Sequence, residues 1–130
     1  MKTVPVGITL RESFATSADQ TAAAAGNEGV EVISSVALIL YIEEACYHLI
    51  AAYYEAGELT VGTRFALDHV GPAVPGDPVD VAVAVDAVEG RRVSFGVTVT
   101  QDGRTVMHGS HQRAFVDGAR FGGGPARPGV

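Results

Sequence analysis

Val36, Ala37, Leu38, Ile39, Leu40 and Ile42 point in every direction round a helix axis. A helix that is apolar all round must be buried on most of its sides. The rest of the chain therefore has to wrap it. The helix is expected over residues 33–56. Ser34 or Ser35 can cap its start, because a serine oxygen accepts one of the free N–H groups of the first turn. Gly57 is placed to end it in a left-handed conformation. Glu43 and Glu44 close the apolar stretch, which is far short of the roughly 20 residues of a membrane span.

The wrapping material reads as strands. Residues 7–16 alternate, with Ile8, Leu10 and Phe14 opposed to Thr9, Arg11 and Ser13. Residues 59–70 alternate too, with Leu59, Val61, Phe65, Leu67 and His69 on one parity. Residues 71–78 hold three prolines and read as a stiff loop. Strands follow at 79–88, 91–101 and 104–116, separated by Glu89-Gly90 and by the hairpin dipeptide Asp102-Gly103. Residues 17–29, with alanines at 22–25, fit either a helical turn or a mobile loop. The order is one strand, one helix, then four consecutive strands that are naturally antiparallel. An α+β hotdog fold, an antiparallel sheet of about five strands wrapped around one long central helix, satisfies both patterns. A cystatin-like roll also places a helix before a meander, and the pattern leaves that alternative open. One domain is expected over 1–118, with a flexible tail over 119–130.

Composition narrows the function. A chain of 130 residues is one domain. A net charge of −6 and a pI near 5.0 argue against a nucleic-acid partner. Cys46 is the single cysteine, so no intrachain disulfide can form and a reducing compartment fits. No apolar stretch of signal-peptide length opens the sequence, and no membrane partner is implied. A cytoplasmic setting is expected.

A few residues could carry chemistry. Glu44 reads as solvated. Glu43 directly follows the apolar stretch, and a partly buried carboxylate needs a partner. His69 shares the parity that points to the helix. A lone histidine there is most often structural, but one near a carboxylate can move protons. Ser34 and Ser35 stand at a helix N-terminus, where free N–H groups favour an anion or a polarised carbonyl; capping is the plain alternative. Gly62 weakens a strand unless a bulge or a close approach needs it. Glu44 and His48 read as a solvated pair four apart on the helix. His108 and His111 face opposite sides of their strand and do not suit a metal, and Cys46 has no second thiolate to join it.

The motifs Glu43-Glu44-Ala45-Cys46, Gly62-Thr63 with His69, 88–94 (Val-Glu-Gly-Arg-Arg-Val-Ser) and 109–114 (Gly-Ser-His-Gln-Arg-Ala) together resemble the fluoroacetyl-CoA thioesterases. The resemblance covers residues 31–116 with constant spacing. It implies a hotdog-fold hydrolase acting on an acyl-CoA, with no cofactor beyond the CoA of the substrate, and a homodimer. It also implies a hydroxyl–carboxylate–imidazole triad of Ser35, Glu43 and His69, with Gly62 and Arg113 contacting substrate. Serine stands where the family's best-known member has threonine. The family's aromatic lid segment corresponds to residues 22–29, which contain no aromatic residue. Thioester hydrolysis without strict fluoroacetyl selectivity is therefore expected. A non-catalytic hotdog that binds an acyl-CoA is the alternative, and a hydratase of the same fold a third.

Overall fold

The protein is described here from a computed structural model covering residues 1–121. Five strands form one antiparallel sheet: β1 (Thr9–Phe14), β2 (Glu58–His69), β3 (Val79–Glu89), β4 (Arg92–Gln101) and β5 (Arg104–Asp117). The long helix α1 (Ser35–Ile50) lies against the sheet, and a single helical turn, α2 (Gly118–Phe121), follows β5. The expected tail begins within that turn, and its residues 122–130 lie outside the described residues.

The strands do not follow one another in space as they do in sequence. Their order is β1-β3-β4-β5-β2. The meander expected of four consecutive strands holds for β3, β4 and β5 only. β2 pairs with β5 at one edge, and β3 pairs with β1 near the other. The loop at 71–78 therefore carries the chain across the sheet. Two buried side chains hold it there. Gln101 accepts from the Val74 N–H at 2.7 Å and donates to the carbonyls of Val74 and Asp77. Thr16 donates to the Asp77 carbonyl at 2.6 Å and accepts from the Gly76 N–H.

The core forms between α1 and the inner sheet face. Val79, Val81, Val83 and Val85 of β3 alternate inward, as do Val93, Phe95, Val97 and Val99 of β4. Helix α1 meets them with Ala37, Leu38, Tyr41, Ile42, Ala45, Cys46 and Ile50. By length and apolarity, Ser35–Tyr53 would also pass for a membrane span, and this packing accounts for its composition. One sheet covers only one side of the helix. Val36 and Leu40 remain 66% and 59% exposed, so a single chain leaves the wrapping unfinished.

Other local expectations are settled differently. Ser34 is the cap, its Oγ accepting from the Ala37 N–H at 3.1 Å, and Ser35 is the first helical residue. The helix stops at Ile50, earlier than expected, and passes through a short 3-10 turn, Ala51–Tyr53. Gly57 has the expected left-handed φ of +80°, but in the turn before β2. Residues 21–33 form neither a helix nor an untethered loop. They fold back through an antiparallel bridge between Thr21 and Ile33 and backbone bonds from Ala22 to Val32 and from Ala23 to Val30. His48 pairs with Glu12 of β1 at 2.7 Å, not with Glu44.

Removing a buried group that satisfies three backbone partners leaves them unpaired, at roughly 1–3 kcal/mol for each unsatisfied group. Gln101→Ala should therefore lower unfolding stability in urea by about 2 kcal/mol or more. Glu58 offers a pH test. It accepts from the Met1 ammonium at 2.8 Å and from Arg91 at 2.5 Å, and these contacts hold its carboxyl down at about 2. A depressed carboxyl stabilises the fold above its ordinary value of 4.5, and the contribution is lost as pH falls toward about 2. Glu58→Gln should lower the melting temperature at pH 7, and the two proteins should converge near pH 2.

Candidate active site

β2 carries a bulge between Gly62 and Arg64. Before it, Thr60 and Gly62 lie opposite Phe115 and Arg113. After it, Phe65, Leu67 and His69 lie opposite His111, Gly109 and Met107. Phe115, Arg113, His111 and Met107 are all buried against the helix, so their partners on β2 share the inner side. One extra residue changes which parity faces inward. The single face expected for residues 59–69 is thus broken. Leu59 and Val61 take the outer face, while His69 keeps the helix-facing side expected of it.

Two clusters result along α1. At the helix start, Ser35 Oγ lies 2.8 Å from His69 Nδ1. Both residues are exposed in the single chain. Ser34 already serves as the cap, so the Ser35 hydroxyl is free to meet the imidazole.

The second cluster lies eight residues along the helix, roughly 12 Å at 1.5 Å per residue. There Glu43, 34% exposed, faces Arg113, 8% exposed, with Nη1 3.4 Å from Oε2. A buried guanidinium is costly unless its donors are met. Here Nε donates to Thr60 Oγ1 at 3.1 Å, Nη2 to the Thr60 carbonyl at 3.0 Å, and Nη1 is shared between Glu43 and His111 Nε2. Gly62 sits over this cluster. A Cβ there would lie 3.1 Å from Glu43 Oε2 and 3.1 Å from His111 Cε1. The glycine is thus explained by close approach beside a bulge.

The structure brings Ser35 to His69, and Glu43 to Arg113 and Gly62. Among the described residues it does not join Glu43 to His69 by a hydrogen bond, and it groups no three potential metal ligands. Glu44 is exposed, as expected. Burial and the neighbouring Arg113 hold the His111 imidazole below its ordinary pKa, and burial pushes the Cys46 thiol up to about 12, far from a reactive thiolate. The reading of residue types passed over Thr60 and gave His111 no role. The available signal was parity on β5, where His111 and Arg113 alternate inward with Phe115.

A curved antiparallel sheet holding one central helix, with polar residues where the helix meets the edge strand, defines the hotdog fold of the thioesterases. The fluoroacetyl-CoA thioesterase FlK has the same fold, with a TM-score of 0.87 at 26% identity over 94% of this chain and 95% of that one. A threonine-to-serine mutant of FlK in complex with acetyl-CoA gives 0.88 at 28% identity, over 92% and 95%. A thioesterase-superfamily protein of Thermus thermophilus gives 0.86 at 21% identity, over 95% and 91%. In sequence, the chain is 32% identical over 91 residues to the fluoroacetyl-CoA thioesterase of Streptantibioticus cattleyicolor, which is 70% of this chain and 66% of that one. Residues 16–119 match the fluoroacetyl-CoA-specific thioesterase family, and the chain belongs to it.

Gly62→Ala tests the close approach. The added methyl must push Glu43 or His111 aside by a few tenths of an ångström. Small misplacements near reacting groups are costly in rate. Thioester turnover should fall by about tenfold, while the melting temperature moves by only a few degrees.

Proposed function

We propose that this protein hydrolyses acyl-CoA thioesters to the free acid and CoA. The observation that carries the reading is the Ser35–His69 hydrogen bond at the N-terminus of α1, in a chain of this family. Water adds to the thioester carbonyl, the C–S bond breaks, and the departing sulfur receives a proton. His69 carries that proton, and Ser35 positions the groups around it. Glu43, held by Arg113 beside Gly62, supplies the carboxylate of the set. The N–H groups of the first helical turn polarise the carbonyl, an effect worth roughly 3–4 kcal/mol for one well-placed donor. No cofactor is needed beyond the CoA of the substrate. The one buried thiol, Cys46, suits a cytoplasmic setting.

The working unit in this proposal is a homodimer. Val36, Leu40 and Tyr47 form an exposed apolar stripe on α1, and Phe65 of the edge strand β2 is exposed beside Glu43 and Gly62. An open strand edge and an apolar stripe suit a second copy of the chain. Antiparallel pairing of two β2 edges, centred between Phe65 and Ala66, sets the partner's His69 opposite Gly62. That arrangement brings the partner's Ser35 and His69 to Glu43 and Arg113, and joins the two clusters that one chain holds apart.

A thiol-release assay over a panel of acyl-CoAs tests the reading. Tight binding without turnover would point to a binding module, and double-bond hydration to a hydratase. Glu43→Gln and His69→Ala should each lower kcat by roughly 100-fold or more. Ser35→Ala should cost less, and Glu44→Gln almost nothing. If the site is shared, mixing Glu43→Gln with His69→Ala protein and allowing subunits to exchange should restore activity, because each mixed dimer then has one intact site. A stable, active monomer in light scattering would sink the dimer.

The acyl pocket is proposed to be less selective than a dedicated fluoroacetyl site. Residues 22–29 offer alanines and glycines, and Gly26 and Gly29 both have positive φ in the folded-back loop. Apolar discrimination is only about 1–3 kcal/mol per methylene even where walls are present. The kcat/KM values for fluoroacetyl-CoA and acetyl-CoA should lie within about tenfold of each other, with longer acyl chains accepted.

A further inference from the structure

We propose that His111 is a positioning residue, a neutral imidazole that accepts a hydrogen bond from Arg113 and thereby aims the guanidinium at Glu43. The inference rests on the reading of Glu43 and Arg113 as part of a thioesterase site.

The geometry fixes the tautomer. His111 Nδ1 lies 3.0 Å from the Arg64 carbonyl. A carbonyl only accepts, so Nδ1 carries the hydrogen. In a neutral ring that leaves a lone pair on Nε2. Arg113 Nη1 stands 3.3 Å from that nitrogen and 3.4 Å from Glu43 Oε2. A protonated ring would instead turn an N–H toward a guanidinium.

The ring has little freedom to leave this orientation. It is 1% exposed, stacked on Phe65 with centroids 4.3 Å apart, and flanked by Phe95 at 6.2 Å. Glu43 from α1 and Arg113 from β5 are the charged groups that bear on it, while β2 and β4 pack aromatic rings against it. The Arg64 carbonyl comes from the residue that ends the bulge. The bulge thus orients His111, His111 orients Arg113, and Arg113 holds Glu43.

A histidine that merely filled the core could be replaced by any ring of its size at some cost in stability alone. His111→Phe keeps the stack and deletes the acceptor. His111→Gln can present an amide oxygen near the place of Nε2, whereas the shorter His111→Asn cannot reach Arg113. We expect His111→Phe and His111→Asn to lower kcat for acetyl-CoA hydrolysis by about tenfold, with KM changed by less than about twofold. His111→Gln should recover most of the rate. In an Arg113→Met background the His111 substitutions should cost nothing further, because the residue acts through Arg113. The proposal is overturned if folded His111→Phe keeps wild-type kcat, if Gln and Asn are equally impaired, or if the loss adds in full to that of Arg113→Met. Should His111→Phe fail to fold, the Gln and Asn pair decides alone. A wild-type protein inactive on every acyl-CoA would remove the reading beneath the inference, and that outcome is seen before any variant is made.

Discussion

The fold is organised around the burial of one helix. Helix α1 carries more apolar surface than one sheet face can cover, and the consequences run through the molecule. The valine faces of β3 and β4 cover its sheet side. The ends and the flank toward β2 are where polar chemistry enters. Ser35 stands at the first turn, where helix N–H groups lack intrahelical partners, and Glu43 stands where the helix passes the edge strand. An apolar helix supplies the low-dielectric surroundings in which a single charge matters. It also dictates that any charge placed there has its partners built in.

Arg113 obeys that rule. Its guanidinium is almost wholly buried, and its donors are met by a hydroxyl, a carbonyl, a carboxylate and a ring nitrogen from three elements. The pair with Glu43 is long at 3.4 Å and half open on the carboxylate side. It is better described as a cation held still by the protein, facing an anion with room to act, than as a bridge that stabilises the fold. The contrast with Glu58 is instructive. Glu58 takes short bonds from Met1 and Arg91 at the far end of β2 and serves stability.

Much of this was legible in the sequence. The period of residues 36–42 announced a buried helix, and the alternating valines announced the inner sheet face. The strands were placed to within a few residues, because Pro, Gly and Asp-Gly punctuate them. Strand order was not legible, since nothing local in residues 71–78 says that the chain crosses to β1. Gln101, which pins that crossing, looks like any polar residue at a strand end. The face of β2 was misread for a related reason. Strict alternation assumes that no residue is added, and Thr63 is added. Glu43 and His69 were found as individuals, but their separation along α1 appears only in three dimensions. His111 looked like a spare histidine because its partners lie on other elements or on the backbone.

The bulge has one more consequence, for how such a chain can vary over time. Seven residues separate Gly62 from His69, and their faces agree only because one of those residues is unpaired. A substitution in this stretch changes a side chain. The gain or loss of a single residue would change the phase of everything after it, turning His69 to the outer face and Asp68 or Val70 inward. The strand is therefore open to changes of letter and closed to changes of length. The unvarying interval between its glycine and its histidine is a mechanical requirement of the sheet, set independently of the reaction it serves.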